Sequence, residues 1–122
     1  VSKENTFVDC LTTEELKSIW DLGSVVETWA DVRAGWPAEK IDLYGPGADS
    51  GTFDYFTEAV VGKAKASRGD YTASEDDNTL VQGISNDKHA LGYIPYAYYE
   101  PNKKRLKAIR DMASSHGWLP RG

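Results

Sequence analysis

The chain has 122 residues, 40% of them hydrophobic and 11% aromatic, enough for one domain with its own core. Its net charge of −5 and pI near 5.0 argue against nucleic acid and against an anionic membrane surface as partners, because both attract clustered Lys and Arg. Cys10 is the single cysteine, which excludes an intrachain disulfide and a thiolate metal cluster, and burial as a small hydrophobe is its expected fate.

No apolar run approaches 18 residues and no basic-then-apolar leader opens the sequence, so neither a membrane span nor a secretion signal is expected within it. A start at Val1 fits a processed or excised segment. Residues 1–12 read as an extended lead-in. Thr12 and Glu15 have capping-box spacing, and Leu16, Ile19 and Trp20 follow at helical intervals, which predicts a helix over 13–20. Gly23 ends that region. "VETWADVRAGWP" reads as packed irregular chain or one helical turn, with Trp29 and Trp36 filling core.

"KIDLYG" alternates as a strand does and leads into "PGADSGT". From Ser50, the residues Phe53, Phe56, Ala59 and Val60 mark the core face of a helix that Gly62 would stop. "KAKASRGDYTAS" is predicted as loop. Ser74 and Asp77 look like a second cap ahead of Leu80, Val81 and Ile84, with the helix running to about Ser85; "ALGYIPY" then reads as a central strand with Pro95 near its end. The last third is open between a short helical piece with a strand over 106–109 and one helix from Pro101 stopped at Gly117. Alternating strands and helices give an α/β or α+β class.

The turn between the strand and its helix carries the chemistry. Gly45, Gly47 and Gly51 would let backbone approach a ligand, and a helix N-terminus offers unpaired N–H groups at the positive end of its dipole. Ser50 and Thr52 add hydroxyls beside the amides of Gly51, Thr52 and Phe53, making an anion cradle without lysine. Ordinary helix capping by Ser50 is the competing reading of the same residues.

Three stretches, "VDCLTTEELKSIW", "LYGPGADSGTFDYFTEAV" and "SRGDYTASEDDNTLVQGISNDKHALGYIPYAYY", resemble the phosphate-binding protein of bacterial phosphate ABC transporters, a type II periplasmic binding protein. The resemblance covers residues 7–109 in the family's own order and matches one lobe of a two-lobed receptor. It implies an α/β lobe over 1–109, with a central mixed sheet flanked by helices, and a tail over 110–122 that does not look like the family. It implies a non-enzymatic protein that acts outside the cytoplasm, binds inorganic phosphate and works with a membrane ABC permease and a second lobe.

By motif, the resemblance assigns phosphate oxygens to Ser50, Gly51 and Thr52. The better-known branch of the family has an arginine and an aspartate where this chain has Pro46 and Ala48. The branch it resembles more uses the arginine of "ASRGDYTASEDD", here Arg68, whose guanidinium can grip two oxygens at once. Asp49 and Asp70 are candidates to accept the proton that phosphate carries and sulfate lacks, although Asp49 can equally face water beside the helix end.

A redeployed scaffold or interaction lobe that keeps only the turn is the alternative function, and self-association through an exposed cleft face is a further expectation. Glu75, Asp76 and Asp77 lack the alternating spacing of a calcium loop, His89 and His116 are isolated, and "ADSGT" is not a nucleophile elbow, so no cofactor, metal or catalytic group is expected. Tyr93, Tyr96, Tyr98 and Tyr99 suit packing, or a partner if exposed.

Overall fold

The computed structural model describes residues 1–112 and 118–119. Two three-stranded sheets carry the helices. In the central sheet β2 (Asp42–Gly45) lies between β3 (Thr72–Ala73) and β4 (Ala90–Gly92), and both pairings are parallel. In the second sheet β1 (Cys10–Thr12) runs parallel to β5 (Arg110–Met112), which pairs antiparallel with β6 (Trp118–Leu119). The α/β class and the flanking helices are as expected; the mixed pairing belongs to the second sheet.

Helix α1 (Thr13–Trp20) starts on the capping box read from the sequence: Thr12 Oγ1 accepts from Glu15 N at 3.0 Å and Glu15 Oε1 accepts from Thr12 N at 2.9 Å. A second box, Thr28 with Asp31, opens the one-turn α2 (Trp29–Val32) and seats Trp29 fully inside. Trp20 is the hub of the larger core, with Phe56, Tyr71 and Tyr93 meeting it edge-on at 5.1–5.8 Å. The long "DYTAS" loop contributes β3 because its backbone completes the edge of β2, with Tyr44 opposite Thr72.

The helix after the turn changes character midway. α3 (Gly51–Phe56) continues as a π-helical turn (Thr57–Val61), stopped by Gly62 at φ 98°. Thr57 is fully buried; its hydroxyl donates to Phe53 O at 2.8 Å and accepts from Lys65 N at 2.7 Å. A hydroxyl held inside the ladder widens the turn, and Gly62 N reaches back five residues to Thr57 O at 3.1 Å.

Three sequence expectations need correction. Helix α4 (Asp77–Ser85) is capped by Asp76, whose Oδ1 accepts from Asn78 N at 3.0 Å; Ser74 Oγ instead accepts from Asp76 N, holding the turn before the helix. The strand in "ALGYIPY" ends at Gly92, and Tyr96–Tyr99 forms the short α5. Neither reading of the last third holds as written: a 3-10 turn at Glu100–Asn102 is followed by Leu106 in an antiparallel bridge with Ser2, and the strand lies at Arg110–Met112. The N-terminal segment recruits Leu106 into buried backbone pairing, and that contact overrides local helical spacing. Most of the 110–122 tail, including His116, lies outside the described residues.

In the strand order β3-β2-β4, β2 sits between the strands reached by two successive connections of opposite direction. α3 leads from β2 to β3, and α4 leads back across to β4. The carboxyl end of such a strand is where open parallel sheets leave a crevice, and there β2 delivers the Ser50 turn.

Candidate functional site

The turn is anchored from below and open above. Pro46 is fully buried, and its carbonyl accepts from Tyr71 Oη at 2.8 Å. Ser50 N donates to Gly47 O at 3.1 Å, which closes the turn and aims α3 away from the sheet. Asp49 and Gly51 are exposed, while Ser50 and Thr52 are half-buried.

The three turn glycines do different things. A Cβ on Gly45 would come within 3.1–3.3 Å of the Tyr71 and Tyr93 rings, and one on Gly47 within 2.5 Å of the Glu75 carboxylate. Those two glycines make room for the protein's own side chains, contrary to the expectation of ligand approach. At Gly51 nothing lies within 4 Å, so that glycine faces open space.

Capping and anion cradling compete for the same donors. Ser50 Oγ accepts from Thr52 N at 3.1 Å and Phe53 N at 3.4 Å, so two of the three expected amides are already engaged. The Gly51 amide, the hydroxyl proton of Ser50 and the hydroxyl of Thr52 are not used by the cap. Gly51 and Thr52 border an open depression of ≈ 560 Å³, together with Tyr55, Ile94, Pro95, Tyr96 and Tyr99. Through Thr52, Tyr55 and Ile94 it adjoins a smaller apolar cavity of ≈ 270 Å³ that reaches Leu16, Phe56 and Tyr93. Tyr55 was not singled out in the sequence; its place off the Phe53–Phe56 core face of α3 was the available signal.

Arg68 stands elsewhere. Only 8% exposed, it forks onto Asp70 (Nε to Oδ1 2.7 Å, Nη2 to Oδ2 3.0 Å), and its Nη1 donates to Ile19 O at 2.9 Å and Val26 O at 2.8 Å, with Ser24 Oγ at 3.3 Å. It therefore ties the end of α1 and the 21–26 loop to the "RGD" turn, and its hydrogen bonds among the described residues do not include the Ser50 turn. The Arg68 hydrogen bond holds the Asp70 carboxyl below the usual carboxylate range, and that carboxylate is occupied as an acceptor. Thus the structure gathers Asp49, Ser50, Gly51 and Thr52 at one turn and sets Arg68 and Asp70 into a separate knot.

The electrostatics of the turn are acidic. Glu75 lies beside Gly47, Asp49 is exposed, and Asp54 in the first turn of α3 pairs with Lys65 at 2.9 Å. Burial, with the neighbouring Tyr71 hydroxyl, pushes the Tyr93 phenol above its ordinary range. Cys10 is half-buried rather than buried, and among the described residues no cluster of three or more His, Cys, Asp and Glu is arranged to hold a metal. His89 sits in the turn before β4, where its carbonyl accepts from Asp42 N at 3.2 Å and Trp29 Nε1 at 3.1 Å.

Comparison with known proteins gives this geometry its relatives. The chain is 52% identical over 108 residues to Protein SphX of Synechocystis, covering 87% of this chain and 32% of that protein. It is 40% identical over 112 residues to Phosphate-binding protein PstS of Staphylococcus saprophyticus, covering 90% of this chain and 33% of that protein. The chain thus spans about a third of the length of these curated relatives. The crystal structure of a possible phosphate binding protein from Planctomyces limnophilus superposes with a TM-score of 0.90 at 51% identity, over 93% of this chain and 40% of that one. An ABC-type phosphate transport receptor from Vibrio cholerae shares the fold, with a TM-score of 0.70 at 20% identity over 93% of this chain and 45% of that one. The PBP superfamily domain matches residues 1–120, and the chain belongs to that superfamily.

Proposed function

We infer that this chain is a phosphate-binding lobe of an ABC-transport solute receptor, and that it seats inorganic phosphate at the first turn of α3. The observation that carries this reading is the set of donors the cap leaves unused, the Gly51 amide and the Ser50 and Thr52 hydroxyls, at a turn beyond the carboxyl end of β2 where Gly51 and Thr52 border an open depression. The names of the relatives from Staphylococcus and Planctomyces support phosphate as the anion.

The mechanism is binding without bond making. Ser50 and Thr52 donate hydroxyl protons to phosphate oxygens, the Gly51 amide adds a third donor, and the helix dipole favours the charge. Asp49 and Glu75 flank the turn as carboxylate acceptors, so a protonated phosphate gains a hydrogen bond where sulfate meets only repulsion. Arg68 stands outside this set, its guanidinium held by Asp70 and by the carbonyls of Ile19 and Val26. In the full receptor, a second lobe over the depression would exclude water, and a membrane permease outside the cytoplasm would take the anion. The lobe alone leaves phosphate half-solvated and binds on the order of millimolar.

Equilibrium dialysis with radiolabelled phosphate tests the reading. Saturable binding that sulfate does not displace and that Thr52→Val weakens at unchanged melting temperature is the expected result. Equal displacement by sulfate removes the carboxylate argument, and no binding at tens of millimolar removes the site.

A further inference from the structure

The composition of the chain speaks against an anionic surface as partner, yet the fold concentrates cations that the sequence keeps apart. Ser2 and Leu106 form an antiparallel bridge, and both are buried. Their neighbours Lys3 and Arg105 lie in exposed turns, and Lys3 N donates to Arg105 O at 3.0 Å. Two cationic residues thus meet backbone to backbone on exposed chain.

Lys103 and Lys104 precede Arg105 in the same exposed turn. Asn5 brings a third segment to this face, with its Nδ2 donating to Lys88 O at 3.2 Å, and Lys107 Nζ reaches Asn5 O at 2.8 Å. Six of the chain's 14 Lys and Arg are gathered from residues 3, 88 and 103–107, in a molecule whose net charge is −5.

Local acids offset part of this charge. Glu100 pairs with Lys103 at 2.9 Å and Asp9 meets Lys107 at 3.5 Å, while Glu4 and Asp87 lie near Lys3 and Lys88 in sequence. Lys3, Lys88, Lys104 and Arg105 are exposed and have no carboxylate partner among the described residues; the Arg105 guanidinium donates to Asn102 Oδ1 at 3.0 Å.

We propose that this face rests on the headgroups of an anionic lipid bilayer. The free cations project from turns, on long side chains that no ion pair fixes. Such a spread of unfixed point charges matches a continuous sheet of negative headgroups better than a partner that needs ordered, desolvated ion pairs. The inference stands apart from the phosphate reading and uses none of its residues.

Sedimentation of the full chain with lipid vesicles tests it. Binding to vesicles of equimolar phosphatidylglycerol and phosphatidylcholine at low salt is expected, with none to phosphatidylcholine alone and a steep loss toward about 0.15 M salt. Each cation near the surface accounts for roughly fivefold, so Lys104→Gln lowers partitioning about fivefold and the triple variant Lys3→Gln, Lys104→Gln, Arg105→Gln about a hundredfold. An off-patch triple, Lys17→Gln, Lys40→Gln, Lys63→Gln, leaves it nearly unchanged.

Equal loss in the two triples, or binding that ignores phosphatidylglycerol, overturns the proposal. Patch-dependent binding to polyglutamate with none to the vesicles also overturns it, in favour of an acidic protein. The melting temperature of the patch triple checks folding, and it should hold.

Discussion

The Ser50 turn and the Arg68 knot are separated in the sequence by α3 and its π-helical turn, and both read as anion chemistry, yet the fold gives them opposite physical characters. At Ser50 the cap leaves the Gly51 amide and two hydroxyls unused, the neighbouring glycine is open and Thr52 borders a depression. At Arg68 a buried guanidinium is spent on two carbonyls, a hydroxyl and a carboxylate of its own chain. A donor that the protein has already used adds rigidity; one left unused beside a depression is available to a ligand. Residue type is the same evidence in both places, and partner geometry separates them.

That contrast breaks most visibly at Arg68. Arg68→Ala leaves the carbonyls of Ile19 and Val26 without their donor and frees the 21–26 loop, with an expected loss of about 3 kcal/mol in urea unfolding. Binding of phosphate by the molecules that remain folded should fall much less than in a Thr52 variant. A collapse of affinity at unchanged stability would reverse the two roles.

Thr57→Val is next. It removes the acceptor of Lys65 N and the hydroxyl inside the helix ladder, for an expected cost of about 1–2 kcal/mol in the same measurement. Ser50 then separates cap from cradle. Ser50→Ala should cost about 1 kcal/mol and weaken phosphate binding, whereas Ser50→Asp keeps an acceptor for Thr52 N and Phe53 N, so stability holds while binding is abolished by charge.

The smallest effects are electrostatic and differ in sign between sites. Asp70, with its carboxyl lowered in the fold by the Arg68 hydrogen bond, contributes stability that is complete above the ordinary carboxylate range and is lost as pH falls through the lowered value. Asp70→Asn should flatten the acid limb of a stability–pH curve. Asp42 is the reverse case. A hydrogen bond with Asp87, burial and the Asp87 charge raise its carboxyl, so its contribution is present at low pH and disappears as pH rises through the raised value. Asp87→Asn keeps the acceptor for His89 N and should raise neutral-pH stability by roughly 0.5 kcal/mol.

Much of the scaffold was legible because short-range rules decide it. The Thr12–Glu15 box, the β2 alternation and the Phe53–Phe56 face set α1, β2 and α3 through contacts within a few residues. Several misreadings follow from contacts that cross the chain. Leu106 pairs with Ser2, Thr72–Ala73 completes the edge of β2, and Gly45 and Gly47 yield space to Tyr71, Tyr93 and Glu75, partners that no local window holds. The Ser50 turn was visible as a motif; that its own cap consumes two amides, and that Arg68 is committed to Asp70 and the 21–26 loop, required the fold.

Backbone amide NMR during a phosphate titration tests the central claim most directly, with the Ser50→Asp variant run beside the native chain. The account predicts saturable shifts at Gly51 and Thr52, small ones at Arg68, little response to sulfate, and none to phosphate in the variant. Flat amides at Gly51 and Thr52 up to tens of millimolar phosphate, or shifts that persist in Ser50→Asp, would contradict it and leave the turn as capping alone.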